Sequence, residues 1–332
     1  MTEPQLKLER AREIGRVTAD LRTRFVKHKR YLHLAEEFDL LLYRRRAEIE
    51  RGLHSEARGL VVIGASGSGK TTAIRRLFAK HPDLLLPQPD LEQADVVSFL
   101  VPAPATLKSV GFDCLRSLGY PLNRDRTAAV IWSKVQKLLS ERRVLFLHLD
   151  EVQHLYNEKA NRDSQAVVNT LKSLMQRSDW PTGLILSGTR ELQSLVNMDA
   201  QLSRRLTPVE FPSIHTTTHS KEIRGIVTHY AEIAGLQVNH DHLNSAEFAR
   251  RLIHAAANEL GLVIELIVAA IEDALAREAD ELDRDAFARA FARRSGCSHV
   301  GNPLMADDWR AIDARKLLDG AGSGTIALGV AS

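Results

Sequence analysis

The chain has 332 residues, 44% hydrophobic and 26% charged, which is long enough for two domains and too apolar for extensive disorder. Lys and Arg number 45 against 42 Asp and Glu, a formal charge of +3, so bulk charge excludes a general polycation and any pull on nucleic acid must come from local clusters. Two cysteines without metal-like spacing exclude a disulfide framework, and no stretch approaches the roughly 18 apolar residues of a membrane helix, so a cytoplasmic location is expected.

Residues 1–58 read as a helical, polar N-terminal extension. Arg22, Arg24, Lys27, Lys29 and Arg30 crowd together and Arg44, Arg45 and Arg46 are consecutive; solvated helix faces and a polyanion contact are both open readings. An apolar patch at Leu32, Leu34, Phe38, Leu40, Leu41 and Leu42 is suited to docking on a following domain. From Gly59 to Pro212 apolar runs alternate with amphipathic helices, the pattern of a parallel sheet with helical crossovers. The runs are 60–63, 96–101, 144–149, 183–186 and 209–211, which predicts five strands. Helices are expected at 71–79, 106–118 and 127–141, and another carries Val167, Leu171, Leu174 and Met175 on one face.

The first run enters Gly64-Ala65-Ser66-Gly67-Ser68-Gly69-Lys70-Thr71-Thr72. Glycines at this spacing let backbone N–H groups curl around phosphate, and the helix that follows adds its positive dipole end. Lys70 is then placed to neutralise the β- and γ-phosphates of ATP, and Thr71 to set its hydroxyl on Mg2+. The third run delivers Asp150 to the carboxyl end of a buried strand as the Mg2+-side carboxylate, where open α/β sheets bind ligands. Glu151 beside it suits a general base for the attacking water; its bland reading is a carboxylate at a helix N-terminus. Ser187 and Thr189 end the fourth run. Either could present a hydroxyl to the γ-phosphate, with Thr189 preferred, or simply cap the next helix. Arg204 and Arg205 precede the last run, where a guanidinium could reach a neighbouring subunit's γ-phosphate, or mark an exposed basic helix end.

After Pro212 strand signals cease, and helical spacing near 219–235, 243–258, 262–279 and 283–293 predicts a separate helical lid domain, 213–295. Residues 296–332, rich in Gly, Ala, Ser and Asp, are expected to form a flexible tail.

Together these motifs resemble AAA+ ATPases: a P-loop α/β core with a parallel five-stranded sheet, then a helical lid. Residues from about His28 to Ile271 are also similar to the TniB/TnsC family of transposition regulators. That likeness rests on His28-Lys-Arg-Tyr31 leading to Glu37-Phe-Asp-Leu40, on Arg58-Gly-Leu-Val-Val-Ile-Gly64, and on Ala79-Lys-His-Pro82 and Val101-Pro-Ala-Pro104. It continues in His148-Leu-Asp-Glu151-Val-Gln-His154 and Leu186-Ser-Gly-Thr189. The resemblance implies an ATPase that oligomerises as a ring or helix on double-stranded target DNA, is loaded by a TniQ-like targeting protein, and activates a DDE transposase of the TniA/TnsB kind. Hydrolysis would then clear it from unsuitable sites. Thr106 and Lys108, after the second strand, are expected to touch the DNA backbone, or to be a solvated helix start. One departure stands out. Gly261-Leu-Val-Ile-Glu265 lacks the lid arginine many AAA+ proteins carry, and Arg224 or another lid residue could substitute. The alternative function is a nucleotide-controlled protein switch that never touches DNA; an origin-binding ATPase would need a winged helix, for which the residues after the lid are too few.

Overall fold

The computed structural model describes residues 2–53, 56–87, 93–122, 124–156 and 161–320. The chain divides into two compact units, one of residues 27–66 and 70–212, the other of residues 1–26, 67–69 and 213–332. The chain opens with α1 (Glu3–Thr23), part of the second unit, and α2 (Lys29–Glu50), part of the first. The N-terminal extension predicted over 1–58 is therefore two helices with different loyalties.

The first unit continues through β1 (Gly59–Gly64), α3 (Lys70–Lys80), β2 (Val96–Leu100), α4 (Leu107–Ser117), α5 (Ala128–Glu141) and β3 (Phe146–Asp150). A 3-10 turn at Val152–Leu155 follows, then α6 (Asn161–Met175), β4 (Gly183–Gly188), α7 (Arg190–Asn197), α8 (Ala200–Ser203) and β5 (Leu206–Phe211). All strand pairings are parallel, in the order β2-β3-β4-β1-β5, so the five-stranded parallel sheet expected from the apolar runs is present. β1, β3 and β4 are buried at every residue, as central strands covered on both faces must be. Gly59 is required where it sits, since a Cβ there would lie 2.0 Å from the Leu184 carbonyl oxygen. β5 starts three residues before its predicted start because Pro208 breaks the sequence signal. A proline lacking N–H is tolerated in a strand that pairs on one side only.

α2 buries Leu34, Phe38, Leu41 and Leu42 and leaves Leu32 and Leu40 exposed, so four of the six residues of the apolar patch are core. Phe38 meets Phe78 and Phe146 with ring centroids 5.5 and 5.9 Å apart. Two of the three consecutive arginines are engaged within the fold, Arg45 buried and Arg46 half-buried. Arg45 donates to the Pro181 carbonyl at 2.7 Å, and Arg46 bonds the Asp95 carboxylate at 2.9 Å. Arg45 is thereby withdrawn from the surface, and Arg46 is held in an ion pair.

The second unit contains α1, α9 (Ser220–Ile233), α10 (His240–Leu243), α11 (Ala246–Ala255), α12 (Leu260–Ala276) and α13 (Arg284–Ser295). A pair of two-residue strands, β6 (Gln237–Val238) and β7 (Glu281–Leu282), escapes the sequence because two residues carry no period. Leu21 of α1 lies in the same core as Val263, Ile267 and Phe291. Asp273 of α12, almost wholly buried, is held by Arg289 at 2.7 Å and Arg293 at 2.8 Å, both from α13.

The segment after Gly296 departs from the expected tail. Residues 297–320 include a 3-10 turn at Trp309–Ala311 and α14 (Ala314–Gly320), and Leu304 and Trp309 are buried. Arg251 donates to the Pro303 and Ala306 carbonyls at 3.2 and 2.6 Å, Arg284 to that of Leu304 at 2.5 Å, and the Asn302 side chain to that of Ala288 at 2.8 Å. Backbone carbonyls satisfied by long cationic side chains let a chain poor in apolar residues pack closely. The remainder of the predicted tail, 321–332, lies outside the described residues. No single helix among the described residues is long and apolar enough to cross a membrane.

Candidate nucleotide site

β1 ends at Gly64 and α3 begins at Lys70, so the loop between them turns from strand to helix N-terminus within five residues. Gly67 and Gly69 have φ of +81° and +94°, a left-handed conformation costly for residues with a Cβ, and this coils the backbone amides toward one point. Lys70 is buried and donates from Nζ to the Gly64 and Ala65 carbonyls at 2.8 and 3.0 Å, so the ammonium sits inside the loop's curl. Thr72, one residue past Thr71, is exposed.

At the carboxyl end of β3 the Thr71 hydroxyl donates to Asp150 Oδ2 at 2.7 Å. The other oxygen, Oδ1, accepts from the Ser187 hydroxyl at 2.6 Å. Ser187 lies 2.9 Å from His148 Nε2, and His148 Nδ1 lies 2.7 Å from the Ser98 hydroxyl. Burial pushes the His148 imidazole down to about 4, partly opposed by Asp150 and aided by Arg75, so the ring is neutral at physiological pH. One arrangement of protons satisfies the row. Ser98 donates to Nδ1, Nε2–H donates to Ser187, Ser187 donates to Oδ1, and Thr71 donates to Oδ2. Asp150 is thus fixed by a chain of side chains that crosses β2, β3 and β4.

Hydroxyl and carboxylate oxygens side by side are hard donors of the kind Mg2+ takes, its other ligands being phosphate and water. Thr71 and Asp150 fit that ion as second-row partners of a nucleotide. No group of three or more His, Cys, Asp or Glu that would hold a metal by itself occurs among the described residues.

Glu151 follows in a left-handed conformation, φ +58° and ψ +39°, uncommon for a residue with a long side chain and concentrated at functional sites. Its carboxylate accepts from Gln153 Nε2, and the Gln153 carbonyl oxygen accepts from the Thr189 amide at 3.2 Å. The Thr189 hydroxyl donates to Glu191 instead of facing Asp150. Of the two hydroxyls weighed from sequence, Ser187 is the one that bonds the Asp150 carboxylate. Thr189 does line a pocket of about 480 Å³ with Ala65, Ser66, Gln153, Tyr156 and Arg190.

Arg205 cannot serve as a projecting finger. Only 6% exposed, it bonds the Glu56 carboxylate through Nε and Nη2 and the Gln201 carbonyl through Nη1 at 2.9 Å. The guanidinium in turn holds Glu56 below the usual carboxylate range. Arg204 is exposed and near Glu56, and its guanidinium makes no side-chain hydrogen bond among the described residues, its backbone amide alone bonding the Ala200 carbonyl at 3.2 Å. The DNA candidates are also engaged locally. Thr106 caps α4, accepting from the Ser109 amide at 3.1 Å, and Lys108 pairs with Asp125 at 2.5 Å. Arg224 donates to the Asn244 carbonyl at 2.6 Å.

His148, Ser98 and Gln153 were missed in the sequence. A histidine within an apolar strand reads as core, and only its place two residues before Asp150 gives any signal.

A P-loop between β1 and α3, an acidic pair at the end of β3 with β4 inserted between those two strands, and the strand order β2-β3-β4-β1-β5 define the AAA+ P-loop ATPase fold. Three solved structures share it. The Aeropyrum pernix ORC1 protein in complex with DNA is 18% identical, with a TM-score of 0.56 over 82% of this chain and 66% of that one. The ORC2 protein of the same organism, in ADPNP-ADP complexes, is 19% identical, with a TM-score of 0.53 over 80% and 68%. CDC6p from Pyrobaculum aerophilum is 14% identical, with a TM-score of 0.53 over 78% and 65%. The chain spans about two thirds of the length of these proteins, and at such identities the likeness is one of fold. The profile of the bacterial TniB protein matches residues 16–216, more than half of the chain, and the chain belongs to the TniB family. No curated protein matches it in sequence.

Proposed function

We propose that this protein is an ATP-hydrolysing switch that assembles on double-stranded DNA and regulates transposition, linking a TniQ-like targeting protein to a DDE transposase. Membership of the TniB family supports the biological setting. The observation that carries the chemistry is the Asp150 carboxylate, with one oxygen on Thr71 and the other on the Ser187–His148–Ser98 row, next to a strained Glu151.

In this reading the P-loop amides and Lys70 hold the β- and γ-phosphates of ATP. Mg2+, held by Thr71 and Asp150, neutralises phosphate charge when bound. Asp150 keeps a fixed orientation because both its oxygens already accept hydrogen bonds from the fold. Glu151, its backbone set outward from the end of β3, takes the proton of the attacking water. Arg204, rather than Arg205, is the guanidinium available to a neighbour's γ-phosphate, so the site is completed by self-association. Two unbridged cysteines suit a cytoplasmic setting.

The internal bonds of Arg45, Arg46, Thr106 and Lys108 favour a second reading, a nucleotide-controlled protein switch without DNA contact. Electron microscopy of the protein with duplex DNA, with and without a non-hydrolysable ATP analogue, separates the two. Rings or filaments on DNA only with nucleotide support the transposition regulator, whose retention would also fall steeply with salt. Nucleotide-dependent assembly that ignores DNA supports the second.

A further inference from the structure

We propose that Gln153 is a positioning residue for Glu151, a role that rests on the hydrolytic reading above. The Gln153 amide reaches a backbone position 36 residues further along the chain. Its Nε2 donates to the Glu151 carboxylate, and its Oε1 accepts from the backbone amide of Thr189, the residue that follows β4. The 3-10 turn that carries Gln153 is pinned on either side by buried Val152 and Leu155, so the side chain is aimed by a rigid base. A glutamate whose own backbone is in a left-handed conformation gains a defined carboxylate position from such a brace.

A second observation points the same way from the opposite strand. A Cβ on Gly188 would lie 2.4 Å from Gln153 Oε1 and 3.3 Å from Leu192, so β4 ends in a residue without a side chain where the Gln153 carbonyl oxygen docks. Gly188 does not have a positive φ that would explain it otherwise. The atom displaced by a methyl group there is the far end of a flexible side chain, so the cheapest relief is for Gln153 to swing away. Gln153 also lines a pocket with P-loop residues Ala65 and Ser66 and with Arg190, the first residue of α7. The brace therefore ties the position of the base to the end of β4, and a shift of Thr189 or Arg190 would be transmitted to Glu151 through one amide.

The test measures steady-state ATP hydrolysis and nucleotide affinity of the full chain with duplex DNA present, for wild type, Gln153→Ala, Gly188→Ala and the double variant. Wild type that binds ATP without turning it over retires the hydrolytic reading itself, before any variant is compared. With an active wild type, each single change is expected to lower kcat roughly tenfold to a hundredfold, since small misplacements of a catalytic group cost that much. Nucleotide Kd should stay within about twofold, and the double variant should be no slower than the slower single, because both changes release the same contact. Wild-type kcat in Gln153→Ala overturns the proposal. So do losses that multiply in the double variant, and a Gly188→Ala protein that melts as wild type yet hydrolyses normally.

Discussion

Lys70 donates to two loop carbonyls, so its removal takes the buried ammonium from the P-loop and leaves those carbonyls without that donor. Lys70→Ala should weaken ATP binding roughly tenfold to a hundredfold, the range for a charged hydrogen bond, as read by titration with a fluorescent ATP analogue. Glu151→Gln, by contrast, should bind ATP as wild type does and lose about 100-fold or more of its turnover in a phosphate-release assay. Arg205→Ala should behave as a stability variant. It removes a buried guanidinium with three hydrogen bonds and should cost about 1–3 kcal/mol, seen as a lower Tm, with ATP affinity unchanged. At this scale the sequence was legible where the chemistry is contiguous. Gly64 to Thr71 and Asp150-Glu151 each form a local pattern that a strand and a helix complete. The row from Ser98 to Asp150 was not legible, because its members come from three strands and meet only through sheet register. Adjacent Arg204 and Arg205 are likewise indistinguishable until the strand that follows turns one inward to Glu56.

Helix α2 shows how a cap makes an element sensitive to pH. His28 ends the preceding extended segment and accepts the Tyr31 amide on Nδ1 at 3.2 Å, beside the edge of Phe211. Burial, with a smaller contribution from Arg30, lowers the imidazole to about 4. The folded state favours the neutral ring, so its stabilisation is complete above about pH 6.5 and is lost as the pH falls toward about 4. His28→Asn keeps the cap without the titration and should flatten the decline of Tm across that window by the equivalent of about 1 kcal/mol, leaving the part due to His148. The segment from Cys297 to Gly320 is the element that composition misjudged. Few apolar residues suggested a tail, yet Trp309 is buried and its indole nitrogen donates to Glu247 at 2.9 Å, with Arg310 stacked 4.5 Å from the ring. Trp309→Ala should cost about 3 kcal/mol or more, and a Tm indistinguishable from wild type would return this segment to the status of an appendage. What hides such a segment in sequence is that its anchors, Arg251 and Arg284, belong to other elements and bind carbonyls that every residue type possesses.

For the whole molecule, the five-stranded parallel sheet and the helical character after Pro212 were readable from alternating periods. The allegiance of α1 was not, because nothing in a polar amphipathic helix says which neighbour receives its apolar side. If the active site is completed between subunits, Arg204→Ala and Lys70→Ala should each turn over ATP far more slowly than wild type alone and should regain part of the turnover when mixed. Mixtures that stay silent at every ratio would count against a shared site. The open margin of the sheet bears on the same question. Gly59 donates to Arg205, so Thr207 faces β1 and Pro208 turns its ring toward the outer margin of β5, at the place where an added strand would look for an N–H. Copies of this protein cannot lengthen one another's sheet along that margin. If copies of this protein associate along this margin, the contact there has to be built from side chains and nucleotide, which come apart when phosphate leaves, whereas backbone ladders between chains do not.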